Sequence, residues 1–278
     1  SVSIHADHVI SEISASLDKR IKSLFPENLG EESEEESEED DEKRASDLIA
    51  SLSNEHRVKC AKSGYLQAID NETLMELARK NELLLKLDHH PGDFLVENLE
   101  LVNVRSNKEC DDDLKKQIQA TFIISGQRTP LQDAEFAIHQ MVEIAARALS
   151  PGVNDPYTAV TCIDKLTAAM CYLTHAKFPS GYRYDKDGKL RVIAKPPSFV
   201  GMMDAAFNQI RQYGSDSPSV YIRLMESFIT IKRRSRTDEQ RQTVERHAKM
   251  VLASAESSFP DSNDLADLKG RYKKLQEI

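Results

Sequence analysis

Few folds are open to a chain that carries the turn ALSPGVNDPYT, from Ala148 to Thr158, between two segments apolar round most of their circumference. Leu131 to Leu149 (LQDAEFAIHQMVEIAARAL) and Tyr157 to Thr174 (YTAVTCIDKLTAAMCYLT) are predicted as helices, and such a pattern is stable only in the middle of a packed domain. Within the turn, Gly152 is expected to supply the left-handed backbone that ends the first helix. Asp155 is expected to cap the second, with Pro156 at its first position.

Around that pair the hydrophobic period changes twice. Ile10, Ile13, Leu17, Ile21 and Leu24 recur at helical spacing and predict an amphipathic helix over residues 1–27. Such a helix either lies on a domain core or forms a stalk toward a membrane or a second subunit. Residues 28–45 are Gly, Ser and acid with hardly an apolar side chain, and are expected to be disordered. Residues 46–127 read as a small β domain. Its strands are predicted over Val58–Ile69, Glu82–Leu87, Phe94–Val96, Leu99–Val104 and Thr121–Ser125, with short helices over Glu72–Lys80, capped by Asp70, and Asp111–Gln119. Residues 128–278 are expected to form a helical domain, interrupted by a hairpin or strand over Tyr184–Val192. Four further helices are predicted near Ser198–Tyr213, Pro218–Ile231, Thr237–Ser257 and Ser262–Gln276. The fold class is therefore α+β, a small β domain followed by a larger all-α one.

The segment PGDFLVENLELVNV resembles the half-barrel of biotinyl and lipoyl carrier domains, which implies a barrel-sandwich scaffold. Those carriers need a modifiable Lys at a hairpin tip. This chain offers His89, His90 and Pro91 there, so a swinging-arm cofactor is not expected.

Charge narrows the partners. The chain has a net charge of -9, yet ten of the twelve residues from Glu31 to Glu42 are acidic, so the remainder is nearly neutral. No nucleic-acid footprint is expected, and the basic run Lys232, Arg233, Arg234 and Arg236 is read as a solvated helix end. Cys60, Cys110, Cys162 and Cys171 have no zinc spacing, and a reducing compartment fits them. His5 and His8, two ligands alone, do not make a metal site, and no cofactor or metal is expected. The tetrad DKDG at Asp185 lacks the downstream Glu of a calcium loop. No run approaches the roughly 20 apolar residues of a spanning helix.

Two polar groups are candidates for ligand binding. Arg128, Thr129 and Asp133 sit at the junction between the last strand and the first central helix, and Arg147, Ser150, Asn154, Asp155 and Thr158 surround the turn. About 25 Å of helix separates them, at about 1.5 Å rise per residue, so they are not expected to form one site. Ser150 and His139 stand roughly 16 Å apart on one helix, beyond the reach of a nucleophile and its base. With no GxSxG, HExxH or phosphate-cradling loop, the sequence leans away from an enzyme. A hydrolase using Asp133, Asn154 and Asp155 with Arg128 or Arg147 is the alternative.

Five segments together carry a family resemblance: SGYLQAID from Ser63, LDHHPGDFLV from Leu87, GQRTPLQDAEF from Gly126, ALSPGVNDPYTAVTCID from Ala148 and AAFNQIRQYG from Ala205. They resemble the bacterial predicted membrane proteins of domain-of-unknown-function family 2254. The resemblance implies transmembrane helices upstream of Ser1, with this chain as a C-terminal soluble region on the cytoplasmic face of the inner membrane. A chain opening on Ser is consistent with a piece of a longer protein. The family supplies architecture and no reaction. The resulting expectation is a regulatory or assembly domain of a channel- or transporter-like protein. Its expected partners are its own membrane helices and further copies of itself, with an unknown small ligand as a further candidate.

Overall fold

The computed structural model describes residues 2–25 and 38–278. Residues 28–37 of the segment expected to be disordered and the side chain of His5 lie outside the described residues. In chain order the elements are α1 (Val2–Leu24), α2 (Glu38–Ser51), β1 (Asn54–Lys59), β2 (Gly64–Ile69), α3 (Asn71–Lys80), β3 (Leu84–Leu87), β4 (Phe94–Leu95) and β5 (Glu100–Ser106). They continue with α4 (Asp112–Ala120), β6 (Phe122–Ser125), α5 (Phe136–Ala148), α6 (Pro156–Leu173), β7 (Tyr182–Tyr184) and β8 (Leu190–Ile193). The chain ends with α7 (Phe199–Tyr213), α8 (Pro218–Arg234), α9 (Asp238–Ser258) and α10 (Ser262–Gln276). The protein is α+β and divides into two compact units.

The β unit comprises residues 29–134 and 179–196. Its strands form two open sheets, ordered β1-β5-β3-β8-β7 and β4-β2-β6, so the barrel expected from the carrier-like spacing does not close. The sheets share one core. Val58, Leu85, Val102 and Val104 of the first meet Leu66, Leu95, Phe122 and Ile124 of the second, with Leu74 of α3 and Ile118 of α4. Alternation explains this, since every second residue of a strand faces the same side. Asp70 and Asp111 start the two short helices by accepting the amides of Thr73 and Leu114 at 3.1 and 2.8 Å.

Three expectations are corrected here. Val58–Ile69, expected as one strand, is broken after Lys59, so that β1 pairs in the larger sheet and β2 in the smaller. Glu38 to Arg44, expected to be disordered, belongs to helix α2, because Ala45, Leu48 and Ile49 place an apolar stripe against Leu84 and Leu190 of the sheet. The hairpin β7–β8, expected within the helical domain, pairs in parallel with β3 through Leu85–Val192 and so completes the larger sheet. The tetrad DKDG is its turn: the Asp185 carboxylate accepts the amides of Asp187 and Lys189 at 2.9 and 3.0 Å and Arg191 Nε at 2.8 Å.

The helical unit comprises residues 1–28, 135–178 and 197–278. Helices α5 and α6 pack on each other and form its interior, α5 burying Ile138, Met141, Val142 and Ala145 and α6 burying Cys162, Ile163, Leu166 and Met170. Helix α1 lies on this pair and buries Ile10, Leu17 and Ile21, followed by Phe25. Tyr172 Oη donates to the Phe25 carbonyl at 2.8 Å and fixes its end. The basic run at the end of α8, expected to be solvated, is corrected at its first member. Lys232 is buried, donating to the Leu275 carbonyl at 3.0 Å and pairing with Glu245 at 2.7 Å, so it ties α8 to α9 and to the end of α10.

Candidate functional site

The strand-to-helix junction brings together three of the segments singled out in the sequence. Leu66 of β2 donates its amide to the Asp93 carbonyl at 2.9 Å and accepts the Gly92 amide at 2.8 Å. Gln67 Nε2 donates to the Gln127 carbonyl at 3.0 Å. Gln132 acts as a short strand partner for Ile69, accepting its amide at 3.0 Å and donating to its carbonyl at 3.3 Å. These contacts explain why α5 starts at Phe136 and not at Leu131. Residues 126–134 hold the β unit by their side chains in a non-helical path, which overrides local helical periodicity.

At the centre of this junction, Asp133 is 3% exposed and Arg128 grips both of its oxygens, Nε on Oδ2 and Nη2 on Oδ1, the second at 3.1 Å. Gly92 passes over the pair with a φ of 104°, a conformation that L side chains rarely adopt. Beside it His89 and His90 both turn toward Asp93, at 3.6 and 3.5 Å. The third candidate, Thr129, makes no side-chain hydrogen bond among the described residues. A carboxylate held in this way is a structural anchor, since a guanidinium fork occupies the oxygens that a general base would need.

The turn is arranged on the same principle. Asp155 Oδ1 accepts the Thr158 amide at 3.1 Å and Oδ2 accepts the Thr158 hydroxyl at 2.6 Å, which caps α6 and holds the Asp155 carboxyl below its ordinary range. Ser150 Oγ donates to the Arg147 carbonyl at 2.7 Å, and Arg147 pairs with Glu143 one turn back at 2.5 Å. The left-handed residue is Asn154, with a φ of 46°, and not Gly152 as expected from the sequence. Asn tolerates that region because its short side chain costs little there. The side chains of Ser150, Asp155 and Thr158 are thus engaged within the turn, while Val153 and Tyr157 face outward at 61% and 83% exposure. The eight candidates fall into two sets, Arg128, Thr129 and Asp133 in the β unit and the other five in the helical unit.

A third polar cluster had no motif to announce it. In the helical unit, His247 of α9 is 1% exposed and donates from Nε2 to Asp204 Oδ1 of α7 at 2.9 Å, beside Arg246 on the same oxygen at 2.6 Å. Burial, then the Arg246 charge, pushes the imidazole down to about 4, against the opposing pull of Asp204. Its one trace in the sequence is periodic: Val244, His247, Ala248 and Val251 form the buried stripe of α9, so a histidine occupies an apolar position. The ring lies 5.8 Å from Phe228 and 6.4 Å from Phe207. All four cysteines are free, and burial raises the Cys162 thiol to about 12. Among the described residues no group of three or more His, Cys, Asp or Glu side chains is placed to hold a metal.

Comparison with known proteins adds a family and no chemistry. Uncharacterized proteins of Mycobacterium tuberculosis and Mycobacterium bovis are each 30% identical over 220 residues, covering 78% of this chain and 42% of their own length. The chain thus spans less than half the length of these relatives. No solved structure matches, and no helix of the described residues is long and apolar enough to cross a membrane. The family model described as predicted membrane protein, domain of unknown function 2254, matches residues 1–230, and the chain belongs to that family.

Proposed function

We propose that this chain is a regulatory and assembly module of a multi-pass membrane protein, held at the cytoplasmic face of the inner membrane by spanning helices that precede it. On this reading its helical unit joins further copies of the same chain. The observation that carries it is the orientation of the turn. Asp155, Ser150 and Thr158 are engaged by neighbouring backbone and side-chain groups, and Tyr157 and Val153 stand out as an exposed aromatic and aliphatic pair beside them. A site for chemistry would direct the polar groups outward, whereas a contact surface presents large side chains such as tyrosine. The membrane setting is supported by the family description and by relatives that carry more than half of their length outside the matched region.

The test is the mass of the full-length protein in detergent, by light scattering on a sizing column, for the natural sequence and for Tyr157→Ser with Val153→Ser. An oligomer that dissociates in the double variant, with unfolding temperature unchanged, is the expected result. A monomer in both, or an oligomer indifferent to the substitutions, rejects the assembly role of the turn.

A further inference from the structure

Two departures from regular geometry and one surplus cation meet at a single cavity in the β unit. Arg183 pairs with Val192 and Tyr184 with Leu190, so Arg191 is an extra residue that bulges β8. The bulge lets Leu190 join Leu84 on the outer face of the five-stranded sheet while Val192 stays in the main core. At the neighbouring turn, Glu82 follows α3 with a φ of 56°, where glycine is the usual residue. Bulges and left-handed non-glycine residues are over-represented beside functional sites because they re-aim side chains at a cost the regular strand does not bear.

Between this outer face and α2 lies a cavity of about 240 Å³. Five leucines line its apolar part, Leu48 and Leu52 from the α2 side and Leu83, Leu84 and Leu190 from the sheet side. Its mouth is charged, with Glu82, Lys189 and Arg191. Glu82 is matched by Lys108 at 2.5 Å, and Lys108, with Lys189 and Arg191 behind it, holds its carboxyl below the ordinary range. Arg191 Nε is matched by the saturated carboxylate of Asp185. The Lys189 ammonium has no hydrogen bond or ion pair among the described residues, which leaves the mouth with one positive charge in surplus. Of the acidic residues on α2, Asp41 is engaged by Tyr184, seven residues before Leu48.

From an apolar floor closed by a surplus cation, we infer that this cavity binds a small anionic amphiphile, a short unbranched hydrocarbon chain with a carboxylate or phosphate head. The leucines take the chain, and Lys189 with the guanidinium of Arg191 takes the head. A neutral alcohol of the same length would fill the same apolar space and leave the cation unmatched. The inference does not depend on assembly through the turn, since every lining residue belongs to the β unit.

The experiment is a titration of the 278-residue chain, followed by the methyl resonances of its leucines. Octanoate is the probe, 1-octanol the neutral control, and vesicles of phosphatidylglycerol or phosphatidylcholine the membrane source of the same chemistry. The expected result is saturable octanoate shifts at Leu48, Leu84 and Leu190, weakened about tenfold by Lys189→Gln, the loss of one charge-assisted contact. Leu52→Trp, which fills the cavity from its partly exposed side, should abolish them. Shifts of the same methyls by phosphatidylglycerol vesicles alone assign the ligand to the bilayer, and by octanoate alone to the soluble pool; either supports the site. Equal affinity for 1-octanol, an affinity unmoved by Lys189→Gln, or no saturable shift with octanoate or phosphatidylglycerol overturns it. Lys189→Gln is an exposed change, so it decides the matter even if the tryptophan variant fails to fold.

Discussion

A Cβ atom added to Gly92 would fall 2.6 Å from Oδ2 of Asp133, so the buried carboxylate leaves room for nothing larger than glycine at that point of the β unit. Arg128 closes the arrangement from the other side, and its Nη2 stands 3.0 Å from the same added atom. The SGYLQAID, HHPGD and GQRTPLQD segments are locked together there. Removing the cation takes the guanidinium fork from a buried carboxylate, so Arg128→Gln should lower the stability of the β unit by about 3 kcal/mol. Gly92→Ala should be comparably damaging, because the contact is too close and the backbone is left-handed. Urea unfolding of both variants checks this, and a loss below about 1 kcal/mol would deny the pair its anchoring role.

The turn between α5 and α6 allows a sharper separation of cap from ligand site. Asp155→Ala removes the acceptor for both the amide and the hydroxyl of Thr158 and should cost about 1 kcal/mol. Asn154→Val places a β-branched residue at a φ of 46° and should cost about 1–2 kcal/mol. Thermal unfolding of each, beside Gly152→Ala as a nearly silent control, tests whether the strain sits at Asn154. An equal loss at Gly152 would be inconsistent with its non-left-handed backbone.

His247 gives the helical unit a dependence on pH. Its folded value of about 4 lies below the ordinary 6.5, so the unfolded chain takes up the proton first as pH falls. Stability from this group is fully present above about pH 6.5 and is lost progressively toward pH 4, by about 3 kcal/mol in all. His247→Leu, which keeps the contact with Phe207 and Phe228, should flatten that interval. Urea midpoints at about pH 7, 5.5 and 4.5 for both proteins measure it, and an unchanged slope in the variant would assign the acid sensitivity elsewhere.

Glu82→Gly should raise the urea midpoint of the β unit slightly, since relief of the left-handed backbone outweighs an exposed ion pair with Lys108. Removing the carboxylate also makes the mouth of the α2 cavity more positive, so the variant should bind octanoate more tightly than the natural chain. A stabilised protein with weaker octanoate binding would contradict the proposed head-group arrangement.

Much of the local structure is legible in the residues because its causes are local. Asp70, Asp111 and Asp155 each cap a helix through an amide three residues on, and the apolar stripes of α1, α5 and α6 are visible within single turns. Expectations that depend on a distant partner are the ones the structure corrects. Leu131–Glu135 has helical composition, but Gln132 and Asp133 are claimed by Ile69 and Arg128. Lys232 reads as solvated until the end of α10 reaches it, 43 residues later.

From the residues alone follow most of the helices and strands and where many of them begin, that two buried helices meet at a capped turn, and to which family the chain is similar. It took the assembled fold to bring the hairpin near residue 190 out of the helical domain and onto β3, to bury His247 against Asp204, and to form a leucine-lined cavity beneath α2. Caps and amphipathic stripes are satisfied by neighbours a few residues away, whereas strand pairing and the burial of a polar group depend on which of many distant partners the folded chain delivers.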